Sequence, residues 1–179
     1  MIYYVGIDNG VTGAIGIISS DSSEEYFFPT PTIRTLNYQK SKVAHINRVN
    51  VRTLKGLIHE AIGDSPAKVL LERPFVNSKF FNSSISAVRA LEATLIVLEA
   101  LNLGYDYIDS KIWQKHFLPK GKKGTELKKL SKELGSRKWP QFAEAIEKQQ
   151  DADGMFIAEY CKQYHTEKKE EPQENLDVI

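Results

Sequence analysis

Between Tyr3 and Ile18 the chain reads YYVGIDNGVTGAIGII, two apolar runs of strand length joined by Asn-Gly and Thr-Gly. Small turn residues between β-prone runs are the local signature of a hairpin, so the chain begins with two antiparallel strands. The hairpin commits the N-terminus to a sheet and puts one carboxylate, Asp8, at the end of its first strand. Two readings of Asp8 stand at this point. Aspartate often caps a turn. Held by rigid backbone at the mouth of a sheet, it can also meet a cation or a phosphate, with the glycines after it leaving clearance.

Glu24-Glu25-Tyr26-Phe27-Phe28-Pro29 reads as a third strand, stopped by Pro29 and Pro31. Thr30 to Ile46 is polar and poorly periodic; it is expected to be a loop or irregular extension carrying Arg34, Lys40, Lys42 and His45. Asn50 can cap a helix whose apolar positions Val51, Leu54, Leu57, Ile58 and Ile62 recur at about 3.6 residues and which Gly63 ends. Ala67 to Leu71 is then a strand running into Glu72-Arg73-Pro74. A β-helix-β order implies a crossover, laying this strand parallel to the first. Asp8 and Glu72 then share the C-terminal end of adjacent strands, where open α/β sheets place their chemistry. A carboxylate ending a buried run needs a cation or hydrogen bonds to offset its desolvation. A salt bridge to the adjacent Arg73 is the structural alternative.

Phe75 to Ser84 reads as a loop holding Phe75, Lys79, Phe80 and Phe81. Aromatics beside an acidic site can stack on unpaired bases, whereas Phe80 and Phe81 are expected to tuck under the loop as a satellite core. Asn82 or Ser84 caps the longest helix, running to about Asn102 with a stripe of Ile85, Val88, Leu91, Leu95, Leu98 and Leu101. Ser86, Ala87, Ala90 and Ala93 give it a small-residue face. Tyr105 to Ile108 is a further strand, and Lys111 to Lys115 starts a short helix. A cationic loop follows to Gly124, then a helix from Thr125 through Leu134 and a break at Trp139-Pro140. The last helix covers roughly Asp151 to Tyr164 and packs through Ile157, Tyr160, Cys161 and Tyr164.

A length of 179 residues suits one domain, taken as 1–165, with a charged, aromatic-free tail over 166–179 that is expected to be disordered. A single cysteine excludes an internal disulfide framework and fits a reducing, cytoplasmic setting. The first strand begins at once, so no targeting segment is expected, and no run approaches the roughly 20 apolar residues of a membrane span. The formal net charge of +1 conceals an asymmetry. From Lys111 to Lys138 ten Lys or Arg residues face two acids, and from Thr166 to Ile179 five acids face two lysines. Such a basic block is usually a solvated face; its density and interleaved aromatics bring a polyanion contact level with that reading. Lys79, Lys111, Lys120, Lys122 and Lys128 are the candidate phosphate contacts.

Asp-Ala-Asp-Gly at the start of the last helix adds Asp151 and Asp153 to Asp8 and Glu72. Two residues apart on a regular helix, these side chains diverge by about 200°. They converge only if Asp151 lies at or before the N-cap while Asp153 is in the first turn; the alternative is that Asp151 is simply the N-cap and both answer the helix dipole. Clustered carboxylates raise one another's pKa unless cations neutralise them. All-oxygen ligands suit Mg²⁺, with Mn²⁺ as a substitute, and no His or Cys spacing suggests zinc. Paired hard cations beside phosphate esters are a device for hydrolysing phosphodiesters.

GIDNGVTGAIG, LLERPF and DADGMFIAEY, in that order, resemble the RuvC-type Holliday junction resolvases of the RNase H-like superfamily, the phage-borne branch above all. The resemblance runs from about Ile2 to Tyr164. It implies an α/β fold with a mixed five-stranded sheet flanked by helices, a homodimer joined through the long helix, and two divalent ions per active site. It implies symmetrical nicking of four-way DNA junctions that leaves 5′-phosphates, in a bacterial or phage-infected cell. By position, Asp8, Glu72 and Asp153 match the family's metal ligands. The fourth acid falls at Gln150 here, and Asp151 is its substitute. Phe75 resembles an aromatic stacked on junction bases; Lys115 and Lys123 resemble basic residues at the scissile phosphate. The rival reading is a non-catalytic branched-DNA-binding or scaffolding protein on the same fold. An actin-like kinase fold pairs Asp with glycines too, but normally needs two such lobes.

Overall fold

The hairpin becomes β1 (Tyr3–Ile7) and β2 (Ala14–Ser19), paired antiparallel with Ile7 opposite Ile15. β3 (Glu25–Pro29) adds antiparallel to β2. The computed structural model of the chain describes residues 1–38 and 44–170. β4 (Thr32–Leu36) and β5 (His45–Val49) stand apart as a two-stranded sheet. α1 (Val51–Ile62) is capped by Asn50, whose side chain accepts from the Thr53 N–H, and is followed by β6 (Ala67–Glu72). As the β-helix-β order requires, β6 lies parallel to β1, with Ile7 opposite Leu71. β7 (Tyr105–Ile108) pairs parallel to β6 and completes a five-stranded mixed sheet in the order β3-β2-β1-β6-β7. Helices cover both faces, which gives the expected α/β arrangement of a mixed five-stranded sheet flanked by helices.

Strand alternation divides the core between those faces. Tyr3, Val5, Ile7, Ile15, Ile17, Val69 and Leu71 point to α1 and to α2 (Phe81–Ala100). On the other side lie α3 (Ser110–Phe117), α4 (Thr125–Lys138), the short α5 (Ala143–Gln149) and α6 (Asp153–Glu170). Tyr4, Ala14, Ile18 and Leu70 point to that side, under α6. Here two backbones nearly touch. A Cβ at Gly6 would sit 2.1 Å from Ala158 N, one at Gly16 2.5 Å from Gly154 O, and one at Gly154 2.7 Å from Ala14 O. Glycine on both partners lets α6 lie directly on β1 and β2, and its first turns are buried on every side. In that layer Trp113 of α3 stacks on Phe156 of α6, and Trp139 after α4 meets the Phe156 ring edge-on.

Several expectations change. Thr30 to Ile46 is not an irregular loop, because it contains β4 and the start of β5; Lys40 and Lys42 lie outside the described residues. TIRTL and HINRV are β-prone, but neither carries the apolar alternation that marks a strand with a buried face. Phe80 and Phe81 do not tuck inward; both are about 61% exposed. A 3₁₀ turn (Ser78–Phe80) leads straight into α2, and Ser84 takes the inward position, accepting from the Asn77 N–H and donating to the Asn77 carbonyl. Neither Asn82 nor Ser84 caps α2, which begins at Phe81. Its buried face is Ala90, Thr94, Val97 and Leu98 rather than the full leucine stripe, and Val88 is exposed. Ser78–Ala100 is long and apolar enough to cross a membrane by length and mean composition, although Lys79, Arg89, Glu92 and Glu99 keep it from being a continuous apolar run. The short α5 after Trp139 had no counterpart in the sequence pattern. α6 continues past Thr166 to Glu170; the remainder of the acidic tail lies outside the described residues.

Candidate metal centre

Strand parity decides where the acids point. Asp8 follows Ile7 and shares the parity of Tyr4 and Gly6, so its carboxylate leaves the sheet toward α6. Glu72 shares the parity of Leu70 and leaves on the same side. The close glycine packing then sets the start of α6 beside Asp8. The result brings carboxylate oxygens of Asp8, Asp151 and Asp153 within 4.8 Å of one another. Glu72 flanks this trio, lining with Asp8, Asn9, Thr12, Lys128 and Asp153 a cleft of about 320 Å³.

Asp151 and Asp153 converge because the helix begins between them. α6 starts at Asp153, and Asp151 precedes it, fully buried, with the Asp153 N–H 3.4 Å from Asp151 Oδ1. The turn into this arrangement is made by Gln150, a left-handed residue (φ 75°, ψ 2°) that ends α5. Its side chain folds back to donate to the Glu147 carbonyl. Gly13 has a local role that differs from clearance for a phosphate. A Cβ there would sit 2.0 Å from the Asp8 carbonyl oxygen, so glycine is what allows the turn to close on Asp8.

Each acid has a specific neighbour. Trp113 Nε1–H donates to Glu72 Oε2 at 2.7 Å. Ser131 Oγ accepts from the Ala152 N–H at 3.1 Å and donates to Asp153 Oδ1, tying α4 to the start of α6. Lys128 Nζ lies 3.4 Å from Asp151 Oδ2. Arg73 does not pair with Glu72; it bridges Asp109 at 3.2 Å and lies over the Tyr107 ring. Sequence reasoning missed Trp113 and Ser131. Ser131 left a signal, as the polar residue within the inward stripe of Leu127, Leu130 and Leu134 on α4. Trp113 left none, because its partner is 41 residues away.

The electrostatics is strained in the direction a cation relieves. Burial, then the charges of Glu72, Asp153 and Asp151, hold the Asp8 carboxyl well above the usual range. Burial and Asp151 push Asp153 up to about 7, against the Ser131 hydrogen bond. Burial raises Asp151 and Glu72 as well, although Lys128 and the Trp113 N–H respectively oppose it. Lys128, disfavoured by its own partial burial, is nevertheless held more basic than usual by Asp151. Among the described residues one ammonium thus faces four carboxylates. Asn9, next to Asp8, turns the other way, its amide donating to the Ala87 carbonyl of α2. An all-oxygen donor set short of positive charge fits a hard divalent cation such as Mg²⁺ or Mn²⁺.

Of the candidate nucleic-acid contacts, Phe75 is 75% exposed and lies just beyond β6. Lys79, Lys111, Lys115, Lys120, Lys122 and Lys123 are exposed, with Lys122 paired to Glu126. Only Lys128 is brought into the cluster.

No protein-family model matches the chain, and no curated protein does. Among solved structures, a Thermus thermophilus RuvC in complex with Holliday junction substrate is 14% identical, with a TM-score of 0.49 over 90% of this chain and 98% of that one. A second Thermus thermophilus RuvC structure is 16% identical, with a TM-score of 0.47 over 88% of this chain and 96% of that one.

Proposed function

We propose that the chain is a Mg²⁺-dependent, structure-selective DNA endonuclease of the Holliday junction resolvase type. The observation that carries this reading is the convergence of Asp8, Glu72, Asp151 and Asp153, from three separate elements, at the C-terminal end of the sheet and beside the cationic α3–α4 segment. Asp8, Glu72, Asp153 and Asp151 would hold the ions. When bound, a pair of such ions activates water and stabilises the leaving oxygen of a phosphodiester. Ser131 fixes the Asp153 carboxylate, and the Trp113 N–H fixes that of Glu72 and offsets its charge. Lys111, Lys115, Lys120, Lys122 and Lys123 contact phosphates, while Phe75, with Lys79 nearby, offers a ring to an unpaired base. The active form is a homodimer joined through α2, in a phage-infected or bacterial cytoplasm.

The test is cleavage of a four-way junction, a flap, a linear duplex and an RNA–DNA hybrid with Mg²⁺ or in EDTA. Preferential, Mg²⁺-dependent nicking of the junction that Asp8→Asn abolishes is expected. Cleavage that survives Asp8→Asn would refute the assignment. One observation favours the non-catalytic alternative: Lys128 already sets a cation against Asp151. Titrating Mn²⁺ into the protein separates the two, because that alternative binds no ion near Asp8.

A further inference from the structure

The β4–β5 hairpin contributes almost nothing to the core. Of its ten paired residues Val49 alone is buried, and Ile33, Leu36 and Tyr38 are exposed. A two-stranded ribbon of this kind is marginal by itself; here it is fastened at its base. The Thr30 N–H donates to the Gly13 carbonyl at 2.9 Å and the Asn50 N–H to the Pro31 carbonyl at 2.8 Å. Gly13 closes the turn that carries Asp8, so the ribbon starts at the rim of the carboxylate cleft. It lies on the α2 side of the sheet, opposite α4. The ribbon and α2 border a hollow of about 210 Å³ lined by Asn47, Arg48, Arg89, Glu92 and Ile96, and the Arg89 guanidinium sits 4.9 Å from the Tyr38 ring.

Its charge is one-sided. From Tyr26 to His59 the sequence contains no aspartate or glutamate. Arg34, Arg48 and Arg52 are exposed, and no ion pair holds any of them among the described residues. A merely solvated surface mixes both signs; here Glu92 of α2 shares the hollow with Arg48 and Arg89, and the exposed arginines of an acid-free segment outnumber it, the charge balance of a polyanion contact. Register adds geometry. Ile33 pairs with Arg48 and Arg34 with Asn47, so Arg34 and Arg48 point to opposite faces of the ribbon.

We infer that the β4–β5 ribbon is a second DNA-contacting arm, engaging the backbone of a duplex segment on the α2 side of the carboxylate cleft through Arg34 and Arg48. This rests on the nuclease reading and extends its contact surface to the face of the sheet opposite the α3–α4 lysines. The test compares the wild-type chain with Arg34→Gln/Arg48→Gln and with Lys122→Gln/Lys123→Gln. Binding of a labelled four-way junction and a linear duplex is measured in EDTA across a salt series, with circular dichroism and molecular mass as controls. The ribbon variant is expected to keep its fold and mass and to bind about tenfold to a hundredfold more weakly near 100 mM salt. The slope of log K against log salt should shrink by about 2, one for each arginine no longer neutralising a phosphate. Wild-type affinity in the ribbon variant, with weakening only in the lysine variant, overturns the inference and leaves the nuclease reading standing. A wild-type chain that binds neither DNA overturns both. Weaker binding accompanied by a change in mass makes the ribbon a subunit interface and overturns the inference. So does arginine-dependent binding to anionic phosphatidylserine vesicles with DNA affinity unchanged.

Discussion

Replacing Asp153 by asparagine should stabilise the metal-free protein at alkaline pH. Asp153 has its carboxyl raised from 3.8 to about 7 in the fold. Between those values the folded chain holds a proton that the unfolded chain has released. Stability from this group is therefore complete below about pH 4, falls as pH rises through 7, and is then constant. At about 1.4 kcal/mol per unit, three units amount to about 4 kcal/mol withdrawn by pH 8.5. A charge at the first turn of α6 returns up to about 1 kcal/mol through the helix dipole, leaving about 3 kcal/mol as an upper figure. Asparagine keeps the shape and the acceptor for the Ser131 hydroxyl while removing the charge. Urea unfolding in EDTA should give equal stabilities for the two proteins near pH 4 and a gain for Asp153→Asn of about 1–3 kcal/mol at pH 8.5, roughly 2–10 °C in Tm. With saturating Mg²⁺ the order should invert, because the ligand stabilises only the chain that binds it. A variant no more stable than wild type at pH 8.5, or a difference independent of pH, would refute the reasoning.

Trp113→Phe keeps most of the buried ring but deletes the donor to Glu72. It should cost about 1–3 kcal/mol and weaken Mn²⁺ binding by roughly 10–100-fold, read by unfolding and by metal titration. Gly16→Ala forces a methyl against the Gly154 carbonyl, where a Cβ would stand 2.5 Å away and the obstacle is backbone. A destabilisation of about 2 kcal/mol or more is expected on urea unfolding, with weaker metal binding as Asp153 is displaced. Gln150→Gly should stabilise by about 0.5–1 kcal/mol and leave metal affinity unchanged, because glycine suits the left-handed turn and the Gln150 amide is spent on the Glu147 carbonyl.

The strands of the main sheet were legible because each is a short apolar run bounded by Gly, Pro or charge, and their order follows from the crossover rule. Asp8 and Glu72 were legible for the same reason: each ends a strand, and parallel pairing leaves them side by side. The ribbon was not. A strand with both faces in solvent has no alternation to display, so its pairing emerges only when the two segments meet. The inward burial of Phe80 and Phe81 failed on a different ground, since hydrophobicity alone does not say which residue of a turn takes the inside position; the reciprocal Ser84–Asn77 hydrogen bonds do.

Sequence alone thus determined the sheet, the acids at its end and the cationic segment beyond them, all consequences of local periodicity and of residue order. Tertiary structure decided the rest of the centre. Whether Asp151 faces Asp8 depended on a left-handed Gln150 and a helix that starts two residues after Asp151. Which groups oppose its charge depended on Trp113, Ser131 and Lys128 arriving from elements more than 20 residues away. These interactions join residues distant in the chain, and only close packing of α6 on glycines in β1 and β2 brings them within reach.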